Sequence, residues 1–158
     1  MNAHLKLIVA AGALTLAAPE AIAKPMVASP QWAGTWILNL ADSKFAKPGR
    51  RTEMRTYRVA GNQVRMESRG IGPDGKSINF RYAAVYDGKW YPMVGNPNAD
   101  RIMLRVVSDR EFRASSRLKG KPSVHSTATV SADGKHLMLK RKMLRMKGAP
   151  TDVLEFER

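Results

Sequence analysis

Turn-forming residues recur along this chain at short, nearly regular intervals, and this spacing constrains the fold more than any other feature. Segments of roughly five to twelve residues separate one turn signal from the next, which is typical of consecutive hairpins. The signals are Gly61-Asn62, Pro73-Asp74-Gly75, Asp87-Gly88, Gly95-Asn96-Pro97-Asn98, Ser108-Asp109, Lys119-Gly120-Lys121, Asp133-Gly134 and Gly148-Ala149-Pro150.

The segments between the turns alternate between apolar and polar residues. Ile78, Phe80 and Tyr82, for example, are interleaved with polar neighbours, which is the period of a half-buried strand. No segment has a convincing helical period. The pattern predicts about ten strands. They are expected near residues 34–40, 52–60, 63–69, 77–86, 89–94, 101–107, 110–118, 123–131, 136–144 and 152–158.

Strands joined by tight turns pair with their chain neighbours, so the sequence predicts an all-β, antiparallel up-and-down meander. A meander of this length has two exposed edges unless it closes on itself. We therefore expect a barrel, with a two-sheet sandwich as the competing architecture.

Turn geometry predicts which side chains face the barrel interior. A two-residue turn at Gly61-Asn62 places Val59 opposite Val64 and Tyr57 opposite Met66 on one face. On the other face it places Arg58 opposite Arg65. The apolar face is expected to be the inner one.

The same reasoning places charged residues inside. If Val130 and Leu137 point inward from the Asp133-Gly134 turn, Arg141 does so too, opposite Ser126; likewise Arg55 follows Tyr57 inward, opposite Ser68. A charge on the inner face is unfavourable unless it lies at a wet mouth or meets an anion. A mouth position or a bulge that shifts the register is the plainer explanation, and an anion is the functional one.

The N-terminus has the pattern of a secretory signal peptide over residues 1–23. One cation precedes an apolar stretch, Leu7–Ala18, and Ala21-Ile22-Ala23 offers small residues for cleavage after Ala23. About a dozen apolar residues are too few for a membrane anchor. We expect a periplasmic or secreted protein with an unstructured lead-in over 24–31 and a single domain over 32–158. The absence of Cys rules out disulfides, thiol nucleophiles and Cys-ligated zinc.

Several stretches of the chain resemble a family of exported bacterial lipocalin-like proteins of unassigned function. Gly34-Thr35-Trp36 with Arg158 resembles the calycin signature shared by lipocalins and fatty-acid-binding proteins. The longer stretches are Gly34-Thr35-Trp36-Ile37-Leu38-Asn39-Leu40, Asp42-Ser43-Lys44-Phe45 and 86–100. The resemblance implies a lipocalin-like barrel, a possible cavity, and an end plugged by Trp36 under the Arg158 cation. It implies no activity.

One departure from that group concerns ligand recognition. Fatty-acid-binding proteins hold the ligand carboxylate with an Arg-x-Tyr pair on the last strand, and the matching residues here are Leu154 and Phe156. A fatty acid held in that way is therefore not expected. Arg141, Arg55, Tyr57 or Tyr82 could supply the donors instead.

Catalytic and metal-binding patterns are sparse. After residue 23 the only histidines are His125 and His136, and they are not expected to face each other. Gly70–Gly75 is glycine-rich, but no helix follows it, so it indicates a turn and not a phosphate loop. The residues of a calcium-like cluster are those that tight turns prefer. They are Asp87, Asn96, Asn98 and Asp100. We expect no enzyme activity, no metal and no cofactor.

The net charge of +14 is the remaining signal. Basic residues on neighbouring strands either form a solvated face or attract an anionic envelope surface. The candidates for an anionic-surface site are Arg58, Arg65, Arg113, Lys140 and Lys142. Nucleic acid is an unlikely target, because an exported protein rarely meets it and few stacking aromatics point outward.

Two functional hypotheses follow. The first is a non-enzymatic carrier or sensor that holds a small apolar or amphiphilic ligand in the barrel cavity. Its cavity residues would be Tyr57, Val64, Met66, Phe80, Tyr82, Tyr91, Met93, Leu104, Arg141 and Arg55. The second is an envelope-interaction protein whose basic outer face binds anionic lipid or polysaccharide.

Overall fold

The computed structural model describes residues 28–158, so the predicted signal peptide over 1–23 and the start of the lead-in lie outside the described residues. A short 3-10 helix precedes ten strands. The helix spans Pro30–Trp32, and the strands are β1 (Gly34–Lys44), β2 (Thr52–Ala60), β3 (Gln63–Ile71), β4 (Ser77–Val85), β5 (Trp90–Val94), β6 (Arg101–Val106), β7 (Glu111–Leu118), β8 (Lys121–Val130), β9 (His136–Met143) and β10 (Thr151–Glu157).

The ten strands form a closed antiparallel barrel. Each strand pairs with its neighbours in the chain, and β1 pairs with β10 to close the sheet. The predicted up-and-down barrel is therefore confirmed, and the sandwich alternative is wrong. Closure removes the two sheet edges that a ten-strand meander would otherwise expose.

The first strand is longer than its sequence pattern predicts. It continues to Lys44, and its pairing with β10 shifts between Asn39 and Lys44. Local side-chain hydrogen bonds occupy this irregularity: the Ser43 hydroxyl donates to the Asn39 carbonyl at 2.6 Å, and the Asn39 amide donates to Asp42 at 2.9 Å. Short polar side chains therefore satisfy the backbone where the ladder is interrupted.

The predicted strand registers are confirmed at both tight turns. Val59 lies opposite Val64 and Arg58 opposite Arg65 across β2 and β3. Arg141 lies opposite Ser126 across β8 and β9, with no bulge between the two strands. A register shift therefore does not explain the inward arginine.

One end of the barrel is closed by the tryptophan and arginine implied by the resemblance. Trp36 is fully buried, and the Arg158 guanidinium lies 4.4 Å from its ring centroid. Arg158 also donates to the Ala33 and Gly134 carbonyls at 2.7 Å each. The last residue of the chain thereby ties β10 to the start of β1 and to the β8–β9 turn.

The last part of the expected lead-in is ordered. Ala28 and Ser29 are buried, and Trp32 is only 1% exposed. The Trp32 ring packs against Tyr86 and Phe112, with centroids 5.2 and 4.9 Å apart. Because a buried indole contributes a large apolar area, it holds this segment against the plugged end, a contact that strand periodicity cannot reveal.

The chain connections alternate between the two ends of the barrel. The plugged end carries the turns after β2, β4, β6 and β8, and the opposite end carries the connections after β1, β3, β5, β7 and β9. No helix in the described part of the chain is long and apolar enough to cross a membrane.

Candidate functional site

The barrel contains a cavity of about 650 Å³ that extends to the end opposite the Trp36 plug. Side chains from the barrel wall and from the connections at that end line it. Its wall combines aromatic residues, methionines, small polar residues and arginines. Among the lining residues are Arg50, Arg55, Tyr57, Met66, Phe80, Tyr82, Met93, Phe112, Ser116, Ser126, Leu139, Arg141 and Asp152.

Seven of the ten residues predicted to line a cavity do so. They are Arg55, Tyr57, Met66, Phe80, Tyr82, Met93 and Arg141. Val64 and Leu104 face inward as expected but are fully buried in the packed core. Alternation along a strand sorts inner from outer positions, but it does not report depth along the barrel axis.

Tyr91 does not line the cavity either. Its phenol donates to the Asp87 carboxylate at 2.8 Å, and this hydrogen bond raises the pKa of Tyr91. The hydroxyl is therefore held at the β4–β5 turn and not in the interior.

A buried carboxylate organises the charged wall of the cavity. Glu53 and Arg55 project inward from β2, and the Arg55 Nε donates to the Glu53 Oε1 at 2.7 Å. The Ser68 hydroxyl on β3 donates to the same oxygen at 2.6 Å. Arg50, in the β1–β2 connection, pairs with the other Glu53 oxygen. Both oxygens of the Glu53 carboxylate therefore accept hydrogen bonds from protein groups.

The ionisation of this cluster is fixed by its pairing. Burial opposes the charge on Glu53, but Arg55 and Arg50, helped by the Ser68 hydrogen bond, lower the pKa of Glu53 to about 2. Burial likewise opposes the charge on Arg55, yet Glu53 outweighs it and raises the Arg55 pKa above its usual range. Burial lowers the pKa of Arg50 to about 10. All these groups are charged at neutral pH.

Arg141 on β9 and Asp152 on β10 form a second ion pair, in which Asp152 is buried and Arg141 is partly buried. Its Nη2 donates to the Asp152 Oδ2 at 2.9 Å, and the Ala46 backbone N–H donates to the Asp152 Oδ1 at 3.0 Å. The Arg141 Nε is buried without an acceptor among residues 28–158. Burial, followed by the charge of Arg55, lowers the pKa of Arg141. Arg141 thus lies in the cavity wall near the open end, where β9 finishes, with donors in excess of acceptors.

The inner face of the last strand is apolar. Leu154 and Phe156, which replace the Arg-x-Tyr pair, are both buried. The Arg55 guanidinium lies 5.3 Å from the Phe156 ring centroid and 5.8 Å from that of Phe80. Its Nη1 also donates to the Tyr57 hydroxyl at 3.4 Å. The interior arginines therefore lie in the β1–β2 connection, on β2 and on β9, and none lies on β10.

Sequence reasoning missed three charged members of the site: Arg50, Glu53 and Asp152. The alternation that places Arg55 and Tyr57 inside also places Glu53 inside, so the sequence pattern predicts the inward position of Glu53. Asp152 follows the irregular 144–150 connection, and Arg50 lies in a loop. No tight turn fixes the position of either residue.

The basic residues predicted on the outer surface are exposed. Arg58 and Arg65 lie opposite each other, and Glu67 is 3.7 Å from Arg58. On the far side of the barrel, a shallow groove of about 250 Å³ runs over β7, β8 and β9. Its basic lining residues are Arg113, His125, Lys140 and Lys142.

Both histidines of the described chain lie on the outer face of the barrel, and His136 lies opposite Glu157 across β9 and β10. His125 lies 3.1 Å from the Ser115 hydroxyl on the outer face, and His136 begins β9. Among residues 28–158, no three His, Asp or Glu side chains cluster as a metal site.

Comparisons with protein-family models, curated proteins and solved structures give no match to this chain.

Proposed function

We propose that this chain is an exported, non-enzymatic carrier or sensor of the lipocalin-like type, which holds a small apolar or amphiphilic ligand inside its barrel. The cavity of about 650 Å³ is the observation that supports this proposal most strongly. Ligand pockets in proteins are typically about 300–1,000 Å³, with an apolar lining and a few polar groups that fix orientation.

The composition of the wall also supports a ligand with an apolar body. Met66 and Met93 are flexible and polarisable, so they can adapt to the shape of a hydrocarbon surface. Phe80 and Phe112 add rigid aromatic surface. The Trp36 plug keeps the far end closed, so that a ligand enters from one end.

A neutral fluorescent probe tests the cavity directly. N-phenylnaphthylamine brightens in apolar surroundings, and we expect it to bind the full chain. Ser116 faces the cavity from β7, whereas its neighbour Ser115 lines the outer groove. Ser116→Phe projects a ring into the cavity and should block probe binding, whereas Ser115→Phe adds the same ring outside and should leave it unchanged.

The outcomes separate a cavity ligand from adsorption on the surface. Loss of binding in Ser116→Phe alone supports the carrier proposal. Equal binding by wild type and Ser116→Phe, or no probe binding at all, contradicts it. Unfolding curves of both variants test whether each retains the barrel.

Export is part of the same proposal. It predicts that cells release a protein beginning at Lys24 into the periplasm or medium, with Ala21 and Ala23 forming the cleavage site. Ala23→Arg should leave the uncleaved chain in the membrane fraction, whereas Lys24→Arg, one residue beyond the cut, should not. Intact mass measurement of the released chain checks the cut.

A second candidate function rests on the outer groove over β7, β8 and β9. Lys140 and Lys142 are exposed, and Lys142 lies beside His125, so the groove presents positive charge to solvent. Such a surface would bind anionic lipid or polysaccharide through long-range attraction that salt screens. Flotation with anionic vesicles, lost at high salt and in the Lys140→Gln, Lys142→Gln double variant, would support it. Equal flotation with neutral vesicles would contradict it.

A further inference from the structure

Positive groups outnumber negative groups inside the barrel. Three arginines, Arg50, Arg55 and Arg141, line the cavity, while two carboxylates, Glu53 and Asp152, pair with them. The cluster of these five groups therefore carries a formal charge of +1. An excess charge in a low-dielectric interior is unfavourable unless solvent or an anion compensates it.

Rearranging the pairs cannot remove the excess, because the cluster holds one more arginine than it holds carboxylates. Glu53 receives Arg55, Arg50 and Ser68, and each Asp152 oxygen receives one donor. A guanidinium carries five N–H donors. Arg141 gives one of these to Asp152, and its Nε finds no acceptor in the described chain. Of the three arginines, only Arg141 has a buried nitrogen without an acceptor in the described chain.

The rest of the cavity wall is positive as well. Lys47 and Arg145 join the three arginines near the open end, and Asp152 is the only acidic residue that lines the cavity in the part of the chain described. A cationic ligand would meet this excess of like charge, whereas an anion would be attracted into the cavity.

The polar and apolar parts of the wall are separated along the barrel axis. Arg141 lies close to the open end of β9, and Glu53 close to the open end of β2. Tyr57, Met66 and Phe112 line the deeper part, toward the plug. A ligand that satisfies both regions has a charged group near the opening and an apolar body below it.

We propose that the cavity ligand is a singly charged amphiphile whose oxyanion head, a carboxylate or a sulfonate, is bound by Arg141 and compensates the excess of one arginine. This inference rests on the proposed cavity function and specifies its ligand class. A head with one charge matches the imbalance, and two oxygens of one group match the planar fork of a guanidinium. Because Arg141 lies on β9, the head group of the ligand is bound by β9 and not by the last strand, β10.

Two probes that differ only in the head group test this proposal. Anilinonaphthalene sulfonate has the ring system of N-phenylnaphthylamine with one added sulfonate. We expect the full chain to bind the sulfonate at least about tenfold more tightly than the neutral probe, since hydrogen bonds to charged groups are stronger than those between neutral groups. Arg141→Gln should remove this preference, so that the two probes bind with similar affinity.

Two further variants guard against a folding artefact. Lys142→Gln removes one cation from the outer face of the same strand and should change neither affinity. Asp152→Asn removes the competing carboxylate while keeping an oxygen for the Ala46 N–H, so it should tighten the sulfonate by more than the neutral probe. A misfolded protein cannot produce that gain.

The failure of this inference differs from the failure of the proposed function. If the neutral probe binds and is lost in Ser116→Phe, but the sulfonate has no advantage or keeps it in Arg141→Gln, the cavity function stands and the anionic head is wrong. If Asp152→Asn does not tighten the sulfonate, the assignment to Arg141 is likewise wrong. If neither probe binds, or Ser116→Phe has no effect, the cavity function itself fails.

Discussion

Glu53 and Arg55 are next-but-one neighbours on β2, and both side chains point into the barrel, where the Arg55 Nε lies 2.7 Å from the Glu53 Oε1. Arg50 and Ser68 bind the same carboxylate. A cation of the cavity wall is thus held by an anion of the same strand. This ion pair therefore fixes the position of Arg55 in the cavity wall and the charge that a ligand meets there.

Removing this carboxylate should strongly destabilise the barrel. Glu53→Gln leaves Arg55 and Arg50 without their charged partner in a buried site, and the free energy of unfolding should fall by about 3 kcal/mol. Glu67→Gln is the matched control, because Glu67 is partly exposed and its arginines are 3.7 and 3.6 Å away. That change should alter stability by less than about 1 kcal/mol. Urea unfolding distinguishes them, and equal effects would contradict a structural role for Glu53.

The same carboxylate predicts a pH dependence. Because folding lowers the pKa of Glu53 from 4.5 to about 2, its stabilising contribution is fully present above pH 4.5 and disappears as the pH falls toward 2. The stability difference between wild type and Glu53→Gln should be constant near neutral pH and shrink over this acidic range. Urea unfolding at a series of pH values measures it. A difference that does not change down to pH 2 would show that Glu53 is not held ionised by its partners.

The Arg158 contact with Trp36 predicts a stability effect at the plugged end. Arg158→Met removes the cation over the indole and two hydrogen bonds to backbone carbonyls, so it should lower the free energy of unfolding by about 1–2 kcal/mol. Arg158→Lys keeps the charge without the planar fork and should recover part of the loss. If Arg158→Met is as stable as wild type, the plug does not depend on this contact.

Gly95 should tolerate substitution poorly. It has a φ of +84°, and a Cβ there would collide with the Asn79 carbonyl oxygen. Gly120 has a similar φ of +76° but open space around it. Gly95→Ala should therefore cost at least about 1 kcal/mol more stability than Gly120→Ala, which carries only the left-handed backbone penalty. Equal midpoints of thermal unfolding would contradict the close approach at Gly95.

The sequence predicts the barrel and its registers where tight turns connect the strands. The turn at Gly61-Asn62 fixes Tyr57 opposite Met66, and the turn at Asp133-Gly134 fixes Arg141 inside. Asp152, the partner of Arg141, escapes prediction because the irregular 144–150 connection sets no register.

Depth along the barrel also escapes sequence reasoning. Val64 and Met66 both face inward from β3, yet Val64 is packed in the core and Met66 lines the cavity. Their difference depends on how side chains from several strands, and Trp32 from before the barrel, fill the plugged end. Such packing depends on residues that are distant in the sequence, so no local sequence pattern predicts it.

The most direct test of the central claim, that the barrel interior holds a ligand, is native mass spectrometry of the protein purified at low salt from cells that produce the full chain. The account predicts one discrete adduct that survives stepwise addition of salt, because salt screens an ion pair inside the cavity only weakly. It also predicts that Ser116→Phe lacks this adduct and Ser115→Phe retains it. An adduct shed by salt would favour the basic outer groove, and a bare protein under both conditions would contradict the carrier account.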